Sequence, residues 1–169
     1  MKNASQSERR NPMIAAWGAV AVTAYGLLAA LQIAVLNPLA AVPGAGLQEI
    51  YAETAAAGQP MGAWWLVMGI GPLVATGVLR RTWRRPGLEP SRVARVYLIL
   101  LALGAPAYFF ASFSPGMSLA DTYLISGGDH SPWAWPLYLV SVVAAVALAI
   151  QVARRHLHLP RGGAVQGTA

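Results

Sequence analysis

Four long apolar blocks organise the chain. Met13–Leu36, Gly62–Leu79, Val96–Phe113 and Trp133–Ala153 contain no Asp, Glu, Lys, Arg or His. Each is near the ~20 residues a helix needs to cross ~30 Å of hydrocarbon. In lipid only helices and closed barrels satisfy their own backbone groups, and these blocks lack the period-two alternation of barrel strands. The pattern predicts an all-α integral membrane protein with four transmembrane helices. It divides into an N-terminal tail over 1–11, a first helical hairpin over 12–79 and a polybasic connection over 80–95. A second hairpin over 96–153 and a C-terminal tail over 154–169 complete it, the tail being Gly-rich and disordered from about Pro160. The first block follows KNASQSERR. Its apolar run is longer than the ~7–15 residues of a signal peptide, and it ends in Asn37-Pro38, so a retained helix is expected.

Charge orients this layout. Of 169 residues only 11% are charged, against ~25% in soluble domains. All twelve Lys and Arg lie in the two tails and the 80–95 connection, whereas the connections near 38–60 and 114–131 hold no Lys or Arg and do hold Glu49, Glu53, Asp121 and Asp129. The positive-inside rule then predicts cytoplasmic termini and a cytoplasmic middle connection, in a plasma membrane. Arg80, Arg81, Arg84 and Arg85 should meet anionic lipid at that face. The tryptophans agree. Trp17 and Trp83 fall at inner helix ends, and Trp64, Trp65, Trp133 and Trp135 at outer ends, the headgroup levels where amphipathic rings settle. The basic groups are dispersed along a membrane surface without a recognition motif, which argues against nucleic-acid binding. Without cysteine there is no disulfide framework and no thiol chemistry. An Arg excess of eleven to one over Lys, with abundant Ala, suggests a GC-rich bacterial genome.

The two outer connections resemble one another. PGAGLQEIY begins at Pro43 and PGMSLADTY at Pro115, with Pro, Gly, Leu and Tyr in register and Glu49 matching Asp121. The same offset places Tyr25 on Tyr97 and Leu31 on Leu103. This pattern suggests two tandem, parallel hairpins related by a pseudo-twofold axis along the membrane normal. Shared Pro-Gly turn chemistry is the plainer source of the match. Each connection also reads as a short interfacial helix. Leu47, Ile50, Tyr51 and Thr54 share a face in the first, stopped by Gly58 and Pro60; Gly127-Gly128 stops the second. Leu47/Tyr51 and Leu119/Tyr123 are expected to dip into the interface.

Two arrangements carry candidate chemistry. Glu49, Glu53, Asp121, Asp129 and His130 share a compartment and form a candidate cluster for a hard divalent cation or a cationic ligand. The competing reading makes Glu49 and Asp121 helix caps, each three residues after a potential N-cap (Gly46, Ser118). Asp129–His130 likewise reads first as a helix entry, with Ser131 as cap, Pro132 in the first turn and Asp129 adding favourable charge. Ser114, Ser118 and Ser131 lie in the same compartment, but no motif selects a nucleophile. His156 and His158 form a two-ligand fragment of low specificity.

The apolar blocks hold no ionisable acid or base, unlike most ion and proton pathways. Thr23, Tyr25, Gln32, Thr76, Tyr97, Tyr108, Ser112, Tyr138, Ser141 and Gln151 are scattered, with Gln32 and Gln151 expected to bond between helices. Pro72 and Pro106 predict kinks. No cofactor is implied. The reading adopted is a small polytopic membrane protein, non-enzymatic, acting as an accessory or scaffold subunit through its outer connections, with other membrane subunits or itself as partner. Two alternatives stand beside it: an oligomeric channel or transporter module, and an extracytoplasmic membrane enzyme built on Glu49, Asp121 and His130.

Overall fold

The computed structural model describes residues 2–85 and 88–158, with side-chain surroundings for 12–85 and 88–154. The described residues are all-helical. Helix α1 (Lys2–Leu31) passes through a π turn (Gln32–Leu36) into the short α2 (Asn37–Ala41). Then follow α3 (Leu47–Ala56), α4 (Trp64–Arg84), α5 (Pro90–Ala102), α6 (Gly104–Tyr123) and α7 (Ala134–His158). Among the described residues three stretches are long and apolar enough to cross a membrane: Pro12–Ala41, Pro90–Tyr123 and Ala134–Arg154. The remaining apolar block forms α4, which packs lengthwise on α1 and α6. Its last two turns carry Arg80, Arg81 and Arg84, and Pro72 lies inside it. The basic connection is shorter than its sequence range, because α4 and α5 take up most of 80–95. The N-terminal segment is helical from Lys2 rather than a separate tail. The expected disorder from Pro160 lies outside the described residues, as do the side chains of His156 and His158.

Two buried clusters join the long helices. At the end of the bundle where α4 carries its arginines, Ala15, Ala19, Val22, Ala75, Val93 and Tyr97 pack together. Towards the opposite end Ala29, Ile33, Met68, Tyr108, Ala111, Ala134 and Leu137 do so. Small side chains on α1 let the backbones approach, which is how helices associate where lipid offers no hydrophobic drive.

The predicted kink at Pro106 is a complete break, with α5 ending at Ala102 and α6 starting at Gly104. Its cause lies on α7. In an unbroken helix the Ala105 N–H would bond the Leu101 carbonyl four residues back. Ser141 stands between them: its Oγ accepts from Ala105 N–H at 2.9 Å and donates to Leu101 O at 2.8 Å. A side chain inserted into the ladder bends a helix. At Gly104 a Cβ would fall 2.6 Å from the Tyr25 ring, so the close approach of α1 at the break requires the missing side chain.

The outer connections form a third core of Ala41, Ile50, Met61 and Leu119. The predicted amphipathic face of α3 is correct in its residues, since Ile50 and Thr54 are buried while Gln48, Glu49 and Glu53 are exposed. Its destination differs. The face packs on the end of α6 rather than dipping into the interface. Burying Ile50 and Leu119 from water contributes about 1.5–3 kcal/mol each. The αL residue Gly58 ends α3, with Gln59 N–H bonding Thr54 O at 2.8 Å.

The second outer helix is not separate. Helix α6 runs straight through Pro115 to Tyr123, so Ser118 and Asp121 are mid-helix and not cap and partner. Ser118 Oγ instead reaches Pro60 O at 3.0 Å and Ser114 O at 2.9 Å. The chain turns at Leu124, a residue with φ 56°, and folds back until Gly127 O would lie 2.4 Å from a Cβ on Gly116. The two outer connections thus follow different paths. The packing of α1 on the α5–α6 span is also shifted along the helix. Rotation about the membrane normal would set Gly18 beside Pro90 and Tyr25 beside Tyr97; instead Gly18 meets Tyr97 and Gly104 meets Tyr25.

Candidate functional site

Polar side chains converge at the end of the bundle opposite the α4 arginines, and Pro38 starts the arrangement. Proline has no N–H to give the carbonyl four residues back, and its ring crowds that carbonyl. The helix widens there into the π turn, with Asn37 N–H bonding Gln32 O five residues back. The freed carbonyl of Ala34 accepts the Tyr51 hydroxyl at 3.0 Å, tying α3 to the first span. Burial pushes the Tyr51 phenol above its ordinary pKa, so it remains a donor throughout the physiological range.

The π turn places Gln32 and Asn37 inside the bundle, where both are buried. Asn37 Oδ1 accepts the backbone N–H groups of His130 at 2.7 Å and Ser131 at 3.4 Å. Gln32 Nε2 makes a long bond to Ser131 O at 3.4 Å. Two side chains from the first hairpin therefore hold a connection more than ninety residues away.

Asp129 turns its carboxylate back onto two phenols. One oxygen accepts from Tyr108, a fully buried residue of α6, and the other from Tyr138 of α7 at 3.0 Å. The two rings meet edge to face, with centroids 5.7 Å apart at 80°. Clefts of about 130 and 360 Å³ flank the carboxylate, the smaller lined by Asn37, Phe109 and Phe113 and the larger by His130 and Trp135.

The sequence expectations separate here. Ser131 does serve the entry to α7, its Oγ accepting from Trp133 N–H at 3.4 Å. Asp129 makes its hydrogen bonds to the two tyrosines rather than to backbone N–H groups of that helix start. Glu49 caps as expected: its carboxylate accepts the Gly46 N–H at 3.2 Å, the one half of a capping box that glycine permits. Asp121 is exposed on α6 and caps nothing. His130 Nε2 lies 2.9 Å from the Ser126 carbonyl, an oxygen that only accepts, and 3.4 Å from the Ser126 hydroxyl. Among the described residues no three of His, Asp and Glu gather in a way that could hold a metal ion. Glu49, Glu53, Asp121, Asp129 and His130 are thus spread over α3, α6 and the following loop rather than brought to one point.

Sequence reasoning missed Asn37, Tyr108 and Tyr138 as partners of the Asp129–Ser131 segment. Their only shared signal is depth, each polar side chain lying at the outer end of an apolar block. The arrangement chemically amounts to a latch: an anion held by two phenols, and a loop backbone held by two amides. No known protein family, curated protein or solved structure matches the chain.

Proposed function

We propose that this is a four-span protein of the plasma membrane that works by binding: an accessory or scaffold subunit presenting a rigid extracytoplasmic cap to a partner. One observation carries the reading. The outer connections are not loose links but a packed unit, tied to the spans through Tyr51 and Ala34, Ser118 and Pro60, Asn37 and Ser131, and Asp129 and Tyr138. A preorganised surface binds without an ordering cost. Its outward side carries Gln48, Glu49, Glu53 and Asp121, all exposed. The polar groups of the spans serve bracing: Ser141 splints a helix break, and Tyr97 donates to Ala75 O at 3.1 Å.

The fourth span is α4, whose placement along α1 and α6 leaves its flank apolar, with Leu66, Ile70 and Leu73 exposed. Its arginine-rich end belongs in the cytoplasm, as do both termini. A duplication supports this layout. The first helix of each half is interrupted at equivalent points, after Leu31 and at Leu103, 72 residues apart in the sequence. In this reading the copies kept their breaks and diverged in their outer connections. Photocrosslinking in intact membranes tests the function. A photoreactive residue at Gln48 or Asp121 should give a discrete adduct with a second protein, and the same probe at lipid-facing Phe110 should not. Adducts solely between copies of this chain, in a ring of fixed number, would replace the scaffold with a pore.

A further inference from the structure

We propose that the inner end of α4 holds a discrete pocket for a phosphate group, filled by the headgroup of an anionic lipid. The cavity, about 360 Å³, is lined by Gly77, Arg80, Arg81, Arg84 and Arg85. On a helix, positions 77, 80, 81 and 84 fall three, four and seven residues apart and so share one face. Arg85 lies just past the helix end, its N–H bonding Arg81 O at 3.0 Å, and joins the pocket lining there.

Among the described residues no carboxylate offsets the charge of this pocket. The only salt bridge among the described residues is Arg92 with Glu89, and no described carboxylate pairs with Arg80, Arg81, Arg84 or Arg85. Guanidinium groups three and four residues apart repel, so the stripe is held together at a cost an anion would relieve. Guanidinium forks match phosphate oxygens in pairs, which an ammonium does not.

The same face extends past Gly77 towards the membrane as Val74 and Leu73, both exposed. Read along α4 the face is apolar, then empty at Gly77, then fourfold cationic. That order matches an amphiphile laid along the helix, with chains on Leu73 and Val74, glycerol over Gly77 and phosphate among the arginines. Trp83, exposed in the last turn, marks the headgroup level. This inference rests on the membrane placement proposed above, and adds to diffuse attraction a single site with a shape.

Gly77 supplies the test, because a Cβ there meets nothing within 4 Å. Gly77→Leu therefore fills the pocket while keeping all four charges, and leucine is the better helix former. The full chain in nonionic detergent is titrated with phosphatidylglycerol, phosphatidylcholine or inorganic phosphate, and bound molecules are counted by native mass spectrometry. One phosphatidylglycerol per chain should bind saturably, ahead of phosphatidylcholine, and Gly77→Leu should abolish that single site while Gly77→Ala keeps it. Arg81→Gln and Arg84→Gln should each weaken it about fivefold, the factor expected for one basic group near a charged surface. Saturation by inorganic phosphate with displacement of the lipid would assign the same pocket to the free ion. Unchanged binding in Gly77→Leu, or equal retention of both lipids, would overturn the pocket and leave only a diffuse basic surface. Should Gly77→Leu fail to fold, stoichiometry in the unaltered chain decides: one saturable phosphatidylglycerol per chain keeps the pocket, and unsaturable uptake of several overturns it. An alkaline-phosphatase fusion at Leu88 that is active outside the cell would refute the membrane orientation without touching the detergent result.

Discussion

Ser141 carries one proton and two lone pairs, and the α5–α6 break uses the proton and one lone pair, on Leu101 O and Ala105 N–H. Ser141→Ala removes the hydroxyl that both backbone groups use, along with its 3.4 Å contact to the Tyr25 hydroxyl. Hydrogen bonds between membrane helices contribute on average ~0.6 and at most ~1.7 kcal/mol. The variant should lie near the upper end, because one hydroxyl serves two backbone groups. Thermal unfolding in detergent should show the loss, and Ser141→Thr should recover part of it. An unchanged melting temperature in Ser141→Ala would mean the helix re-forms its own 101–105 bond and Ser141 is a bystander. Asp129 admits a similar argument. Asp129→Asn keeps one accepting oxygen for two phenols, so one tyrosine loses its acceptor. Amide exchange in 126–131 should rise more in this variant than in His130→Ala, which leaves the phenols paired.

At the scale of elements, legibility followed the kind of contact. The apolar blocks became helices where expected, and the inward face of α3 was readable from Leu47, Ile50, Tyr51 and Thr54, since both depend on local periodicity. Helix α6 beyond Phe113 was not readable. Pro115-Gly116 is a turn signal by propensity, and what overrides it is tertiary: Gly116 under Gly127 O, and Ser118 on Pro60 O. The π turn was hidden for the same reason, although its cause, Pro38, was in view. Pro38→Ala would restore the missing N–H, let Ala34 O bond within the helix and close the widened turn. Asn37 would then rotate away from the His130–Ser131 backbone. The expected result is faster amide exchange at His130 and Ser131 with nearly unchanged overall stability. Unaltered exchange there would show that the π turn is set by packing and not by proline.

The register between the first and third long helices, at the scale of the whole molecule, decides whether a symmetric pairing of the hairpins describes the architecture. Gly18 meeting Tyr97 and Gly104 meeting Tyr25 are both contacts at a separation of 79 residues, seven more than the offset of 72 between the two similar connections. Seven residues are two helical turns, so one hairpin slides roughly 10 Å along the other relative to a rotation about the membrane normal. The slide has a packing reason, because each tyrosine ring needs a glycine opposite and repeat-equivalent positions offer none: Pro90 corresponds to Gly18, and Gln32 to Gly104. Because the chain contains no cysteine, paired substitutions report this register cleanly. Gly18→Cys with Tyr97→Cys should oxidise to an intramolecular disulfide, since a Cβ on Gly18 lies 2.3 Å from the Tyr97 ring carbon attached to its Cβ. Gly18→Cys with Pro90→Cys, the pair a strict twofold would juxtapose, should stay reduced under the same oxidant. The reverse pattern, read from mobility of the oxidised chain on non-reducing gels, would restore a symmetric bundle and remove the slide.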